Sequence, residues 1–137
     1  MTIKYTVKWK KTNFSDIIDV RSPAEYKEDH IPGSINLPVL NNEQRVSIGT
    51  IYKKESPFKA KKIGASLVSN NISKHIKKVL ISKPGNWKPL IYCWRGGQRS
   101  KALATVLSET ISSIFEQSIL KLRGSISTKQ GTRLFFI

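Results

Sequence analysis

The sequence predicts an α/β fold with a mainly parallel central sheet flanked by helices. Short apolar runs suited to buried strands, at 16–20, 34–38 and 89–93, alternate with stretches of helical character at 42–54, 60–80 and 99–108. Proline and glycine punctuate the joints between them. The length of 137 residues suits one domain with one core.

Residues 3–9 alternate apolar and polar side chains and are expected to form an edge strand. Asp16-Ile17-Ile18-Asp19-Val20 reads as a buried strand leading into a helix. There Ser22 is placed to cap, Pro23 to take the first helical position, and Glu25 to sit in the first turn where the helix dipole favours a carboxylate. That helix is short, ending near Asp29-His30, and Ile31-Pro32-Gly33 turns into a brief strand over Ser34–Pro38. Residues 42–54 are helical in composition, with Gly49 a weak point. Beyond Pro57, residues Ala60, Ile63, Leu67, Val68, Ile72, Ile76, Val79 and Leu80 follow a 3.6-residue period, with a break expected near Asn70-Asn71. Lys83–Asn86 is a turn, Pro89–Cys93 a strand, and Arg99–Ser108 a helix marked by Ala102, Leu103, Val106 and Leu107.

No apolar run approaches the roughly 20 residues needed to span a bilayer, and the N-terminus lacks the apolar segment of a signal peptide. One cysteine excludes an internal disulfide and fits a reducing cytoplasm. With two distant histidines, it also makes a metal site an unfavourable reading. The 24 Lys and Arg against 9 Asp and Glu give a net charge of +15, which favours polyanionic partners, nucleic acid ahead of an anionic membrane. Two lysine clusters, Lys53 to Lys62 and Lys74 to Lys88, point to an RNA-facing surface.

The chemistry concentrates in Cys93-Trp94-Arg95-Gly96-Gly97-Gln98-Arg99-Ser100. A strand end, a glycine loop and a helix N-terminus meet there at one sulfur. Loop N–H groups and the positive helix end stabilise a thiolate or an oxyanion, and Arg95 and Arg99 add permanent charge. Those conditions make a thiol a nucleophile. In parallel sheets ligands bind at the carboxyl ends of strands, which is where Cys93 falls. Asp19 is expected to orient its loop by accepting backbone hydrogen bonds, and Arg21 either lines the pocket mouth or faces solvent. Trp94 is placed to stack on a base or to shield the loop. His30 is expected to cap or pack, and His75, among lysines, to be solvated.

Asp19–Tyr26, His30–Pro38 and the cysteine loop resemble, in order, the three signature blocks of rhodanese domains, α/β modules whose loop cysteine carries a persulfide. This resemblance covers about residues 14–108. Asn42-Glu43-Gln44-Arg45-Val46-Ser47-Ile48-Gly49-Thr50-Ile51-Tyr52-Lys53, with Ile91–Ser100, is similar more narrowly to the rhodanese part of tRNA 2-selenouridine synthase. That family replaces the sulfur of 2-thiouridine at the tRNA wobble position with selenium, using selenophosphate as donor, and joins this domain to a P-loop domain. The resemblance therefore implies Cys93 as the essential thiol, held in a loop of Trp94, Arg95, Gly96, Gly97, Gln98 and Arg99. It also implies no bound cofactor, tRNA as partner, and a P-loop domain supplied elsewhere.

The chain contains no G-x-x-x-x-G-K-[ST]. The family pattern is expected to stop at Leu107, leaving 1–108 as the rhodanese-like domain and 109–137 as a divergent tail of truncated or frame-shifted origin. Cys93, Arg99 and Ser100 also satisfy the C-x5-R-[ST] phosphatase signature. On that competing reading Arg99 would bind an oxyanion bidentately and Asp19 or Asp29 would be the general acid. A catalytically silent RNA-binding remnant is the third reading.

Overall fold

The computed structural model describes residues 4–6, 10–94, 97–110 and 118–120. Among these, five strands form one sheet: β1 (Lys4–Thr6), β2 (Asp16–Asp19), β3 (Ile35–Asn36), β4 (Pro89–Tyr92) and β5 (Ser118–Leu120). Their order is β1-β5-β4-β2-β3 and every pairing is parallel. The connecting helices are α1 (Pro23–Glu28), α2 (Asn42–Lys54), α3 (Pro57–Lys78) and α4 (Gln98–Thr110). The predicted α/β architecture with a parallel sheet is the observed one, and the strand expected within residues 3–9 lies at the sheet edge as β1. The sheet also takes β5 from the segment expected to be a divergent tail, placing it between β1 and β4. Trp9 and most of the tail lie outside the described residues.

Strand alternation divides the core. Ile18, Val20, Ile91 and Cys93 share one buried cluster with Ile72 of α3 and with Leu103, Ala104 and Leu107 of α4. Ile17, Leu90 and Tyr92 alternate to the opposite face and are buried as well. A strand covered on both sides needs a continuous apolar run, which is why Leu90-Ile91-Tyr92 carries no polar alternation. Trp87 is buried beside this strand and donates its indole N–H to Asp16 at 2.6 Å.

The chain leaves β2 for β3 on one side and leaves β4 for β5 on the other. Adjacent strands whose connections diverge open a crevice at their carboxyl ends. Here that crevice lies between β2 and β4, where Ile18 pairs with Ile91 and Asp19 with Tyr92.

Local sequence accounts for most helix boundaries. Ser22 and Glu25 form a reciprocal capping box with Pro23 at the first position of α1. Asn41 and Gln44 do the same for α2. Neither expected helix defect occurs. α2 passes unbroken through Gly49, and α3 runs 22 residues through Asn70-Asn71. The Asn71 amide points outward, donating to the Val39 carbonyl at 3.0 Å and to Gln44 Oε1 at 2.8 Å, so it does not compete for the helix's own carbonyls. His75 is not solvated as expected: it is half-buried, and its Nε2 donates to the Pro38 carbonyl at 2.7 Å. No helix among the described residues is long and apolar enough to cross a membrane.

Leu103 is fully buried between α4 and the sheet. Leu103→Ala is expected to destabilise the fold by about 2–5 kcal/mol, whereas exposed Ile81→Ala should stay within about 0.5 kcal/mol. Urea unfolding midpoints measure both, and equal effects would contradict this placement of the core.

Candidate active site

Cys93 is the first residue after β4, and it is 1% exposed. Its Sγ lies 3.1 Å from Ser100 Oγ, in the first turn of α4, and 3.7 Å from the Trp94 carbonyl. Ser100 is itself fully buried, and its hydroxyl donates to the Gly97 carbonyl at 3.0 Å. In that arrangement Ser100 presents a lone pair to the thiol, and rotating the hydroxyl lets it donate to a thiolate at the same distance. Gly97 lies beside the sulfur at ordinary contact distance. A Cβ there would meet Sγ at 3.8 Å and the Trp94 carbonyl at 3.4 Å. The sulfur thus rests against the residue preceding a 13-residue helix, at its positive end. Trp94 is 37% exposed and stands at the surface beside the loop. Gln98 is exposed at the start of α4, and Arg95 and Gly96 lie outside the described residues.

The neighbouring turn after β2 is held by buried charge. Arg21 is 3% exposed and Asp19 is fully buried, so the solvent-exposed alternative for Arg21 does not hold. Its Nε and Nη2 both bond the Asp19 carboxylate, the latter at 2.8 Å, while Nη1 reaches Asp29 Oδ1 at 2.9 Å. Burial opposes the charge, but the hydrogen bonds and charge of Asp19, followed by Asp29, hold the guanidinium's pKa above its ordinary value. Asp19 accepts a backbone hydrogen bond as expected, from Arg21 N at 2.8 Å, and so orders its own turn. The Arg21 guanidinium lies 5.6 Å from the Tyr92 ring centre. Tyr92 in turn accepts from Ile31 N and bonds Ser34 Oγ. Burial, then the Asp19 charge, push its phenol upward, keeping it protonated.

Arg99 has a partner that the sequence did not reveal. Its Nη1 and Nη2 clasp the two oxygens of Glu25 at 2.6 and 3.1 Å, joining α4 to the first turn of α1. Glu25 also accepts from Ser22 N and Ser22 Oγ, both at 2.9 Å. The expected bidentate fork of Arg99 therefore exists, but it holds an internal carboxylate. The sequence marked Glu25 only as a first-turn carboxylate favoured by the helix dipole, and nothing local links it to a residue 74 positions away. His30 packs as expected, stacked on Tyr26 with its Nδ1 donating to the Tyr26 carbonyl.

Burial opposes ionisation of Glu25, but the Arg99 hydrogen bond and charge, followed by the Ser22 bonds, lower its pKa from 4.5 to about 2. The ionised form is therefore the stabilising one. Its contribution is complete above pH 4.5 and is lost as pH falls towards 2. Glu25→Gln is expected to cost about 1 kcal/mol at neutral pH, a modest value because the pair is partly exposed. The gap between mutant and parent should narrow below pH 4.5 in urea titrations; a pH-independent gap would contradict an ionised Glu25.

Residues 2–128 match the family model described as Rhodanese-like domain. The match runs past Leu107, beyond the point where the resemblance was expected to stop. The chain is 36% identical over 95 residues to tRNA 2-selenouridine synthase of Nitrosomonas europaea, covering 69% of this chain and 25% of the relative. It is 34% identical over 113 residues to that of Sulfurovum sp., covering 82% and 30%. It thus spans between a quarter and a third of the length of these relatives. A crystal structure of the N-terminal domain of a protein described as ATP/GTP binding, from Clostridium difficile 630, superposes with a TM-score of 0.61 at 32% identity. The overlap covers 75% of this chain and 79% of that one. With a parallel sheet, a cysteine at the β2–β4 crevice and a family match over nearly its whole length, the chain belongs to the rhodanese-like domain family.

Proposed function

We propose that the chain is a sulfur/selenium-transfer domain with Cys93 as its reactive thiol, in the service of the wobble-uridine exchange for which the tRNA 2-selenouridine synthase relatives are named. The Cys93 thiolate attacks the outer chalcogen of a donor. A sulfur–chalcogen bond forms, the donor's bond to that atom breaks, and the donor leaves with the electron pair. With thiosulfate the products are a Cys93 persulfide and sulfite. Selenophosphate, the family's selenium donor, already holds selenium at the selenide level, so it does not load Cys93 by this step: its selenium replaces the tRNA sulfur as the P–Se bond breaks to release phosphate, with tRNA as acceptor and the cytoplasm as compartment. Trp94, Arg95, Gly96 and Gly97 are the residues between the reacting cysteine and α4, Gln98 and Arg99 open that helix, and Asp19 and Arg21 support the site from the adjoining turn. A P-loop domain belongs to the same reaction.

One observation carries this reading: the buried Cys93 sulfur faces Ser100 Oγ at 3.1 Å, at the head of α4 and at the crevice between β2 and β4. A hydroxyl and a helix end stabilise charge on sulfur without needing a free cation. The phosphatase reading has weaker support. The arginine of its signature is engaged by Glu25, and Asp29 and Asp19, its candidate acids, are both bonded to Arg21.

Incubation with thiosulfate, followed by mass measurement, should detect one added sulfur on Cys93, and Cys93→Ser should remove it. Ser100→Ala is expected to slow the transfer about tenfold, the scale of one hydrogen bond to a charged group. No added sulfur on the parent protein would refute the proposal. A burst of chromophore from a phosphate monoester would favour the phosphatase reading.

A further inference from the structure

Two clefts flank α2 and share Arg45. One, of about 450 Å³, runs from Glu25 along Arg45, Gly49, Lys53 and Lys54. The other, of about 520 Å³, lies between α2, α3 and α4 and is walled by Leu40, Ile48, Tyr52, Ala60, Val68 and Ala102. Its rim carries Arg45, Lys61 and Arg99, and the last of these brings it to the cysteine loop. Its size falls within the range of about 300–1,000 Å³ common for small-molecule sites.

The chemistry of the two clefts is complementary. Arg45, Gly49 and Lys53 recur at four-residue intervals along α2, so they share one helix face. Gly49 lines the cleft between the two cations, and Arg45 Nη1 lies over it, 3.5 Å from where a Cβ would stand. Arg45, Lys53 and Lys54 are exposed, and none of the three is in an ion pair among the described residues. Lys59, Lys83 and Lys88 of the two lysine clusters are instead occupied, by Glu55, Asp16 and the Phe14 ring. The adjoining cleft is apolar and has one exposed aromatic ring, Tyr52 at 53%. A row of free cations beside an apolar slot with an aromatic wall suits a chain of phosphates with a flat base between them.

We propose that this pair of clefts is a single-strand RNA site. One unpaired base enters the apolar cleft against Tyr52, and the adjoining phosphates lie on Arg45, Lys53 and Lys54. The strand then reaches the cysteine loop from the α2 side, past Arg99. Duplex RNA cannot place a base there, because its bases are stacked and paired. The choice of RNA rests on the proposed function; the location of the site rests on the clefts.

The test is fluorescence anisotropy of the full chain with a short labelled oligouridylate and with a duplex of equal length, across a salt series. The single strand should bind more tightly than the duplex. Tyr52→Ala should weaken single-strand binding about tenfold with little change in salt slope, and Tyr52→Phe should retain it. Arg45→Gln with Lys53→Gln should reduce the slope of log affinity against log salt by about 1.4. Equal binding of duplex and single strand, or no effect of Tyr52→Ala, would overturn the site and leave only diffuse charge attraction. These outcomes separate from the sulfur chemistry. Persulfide formation without single-strand binding would refute the site alone, and single-strand binding with these mutant effects but no persulfide would support the site while refuting the transfer role.

Discussion

The buried pairing of Asp19 with Arg21 is the constraint around which the carboxyl end of the sheet is built. Two charges removed from water are tolerable only if nearly every polar atom finds a partner. The guanidinium meets this condition through Asp19, Asp29 Oδ1 and the Asp29 carbonyl. Asn36 Nδ2 takes the Asp19 and Arg21 carbonyls, and so fixes β3 to the same turn. The Arg21 charge lies near the Tyr92 ring, whose hydroxyl gathers Ile31 and Ser34. One ion pair thereby sets the positions of the β2 turn, the end of α1, β3 and the last residue of β4. Cys93 follows that last residue directly, so its place in the crevice is inherited from a network it does not join.

The second electrostatic element divides the two chemistries compatible with the cysteine loop. A phosphoester hydrolase needs a guanidinium free to hold a dianion and an acid free to protonate the leaving group. Here the Arg99 fork closes on Glu25, and Asp29 closes on Arg21. Both contacts are internal ties between helices or turns. What faces the sulfur among the described residues is neutral: the Ser100 hydroxyl and the Trp94 carbonyl. A hydroxyl at a helix N-terminus suits a sulfur that gains and loses charge, because the hydroxyl can turn either its lone pair or its proton towards it.

Local chemistry was legible in the sequence, and distant pairings were not. Ser22, Pro23 and Glu25 announced the start of α1, since capping is settled within four residues. The continuous apolar run at 89–93 announced a strand, and the structure buries it on both faces. Asn71 and His75 misled for one reason: the polarity of each serves a carbonyl from the segment before α2, on Val39 and Pro38, which no helical pattern encodes. The burial of Arg21 depends on Asp29 returning at the far end of α1, and the occupancy of Arg99 on Glu25 arriving from another helix. β5 was equally hidden. Ser118-Ile119-Leu120 is too short to announce itself and is defined by the slot between β1 and β4.

The helical hairpin between β3 and β4 carries a further consequence. α2 buries none of its residues and α3 only Ala60 and Ile72, although together they span more than a quarter of the chain. Substitutions on the exposed faces of the hairpin should therefore cost little stability, whereas Val68 and Ile76 pack against the core and the sheet turns that position Cys93 are locked by buried charge. Stability therefore constrains the two parts unequally: the turns around the sulfur tolerate little change, and the exposed faces of the lobe beside them tolerate much.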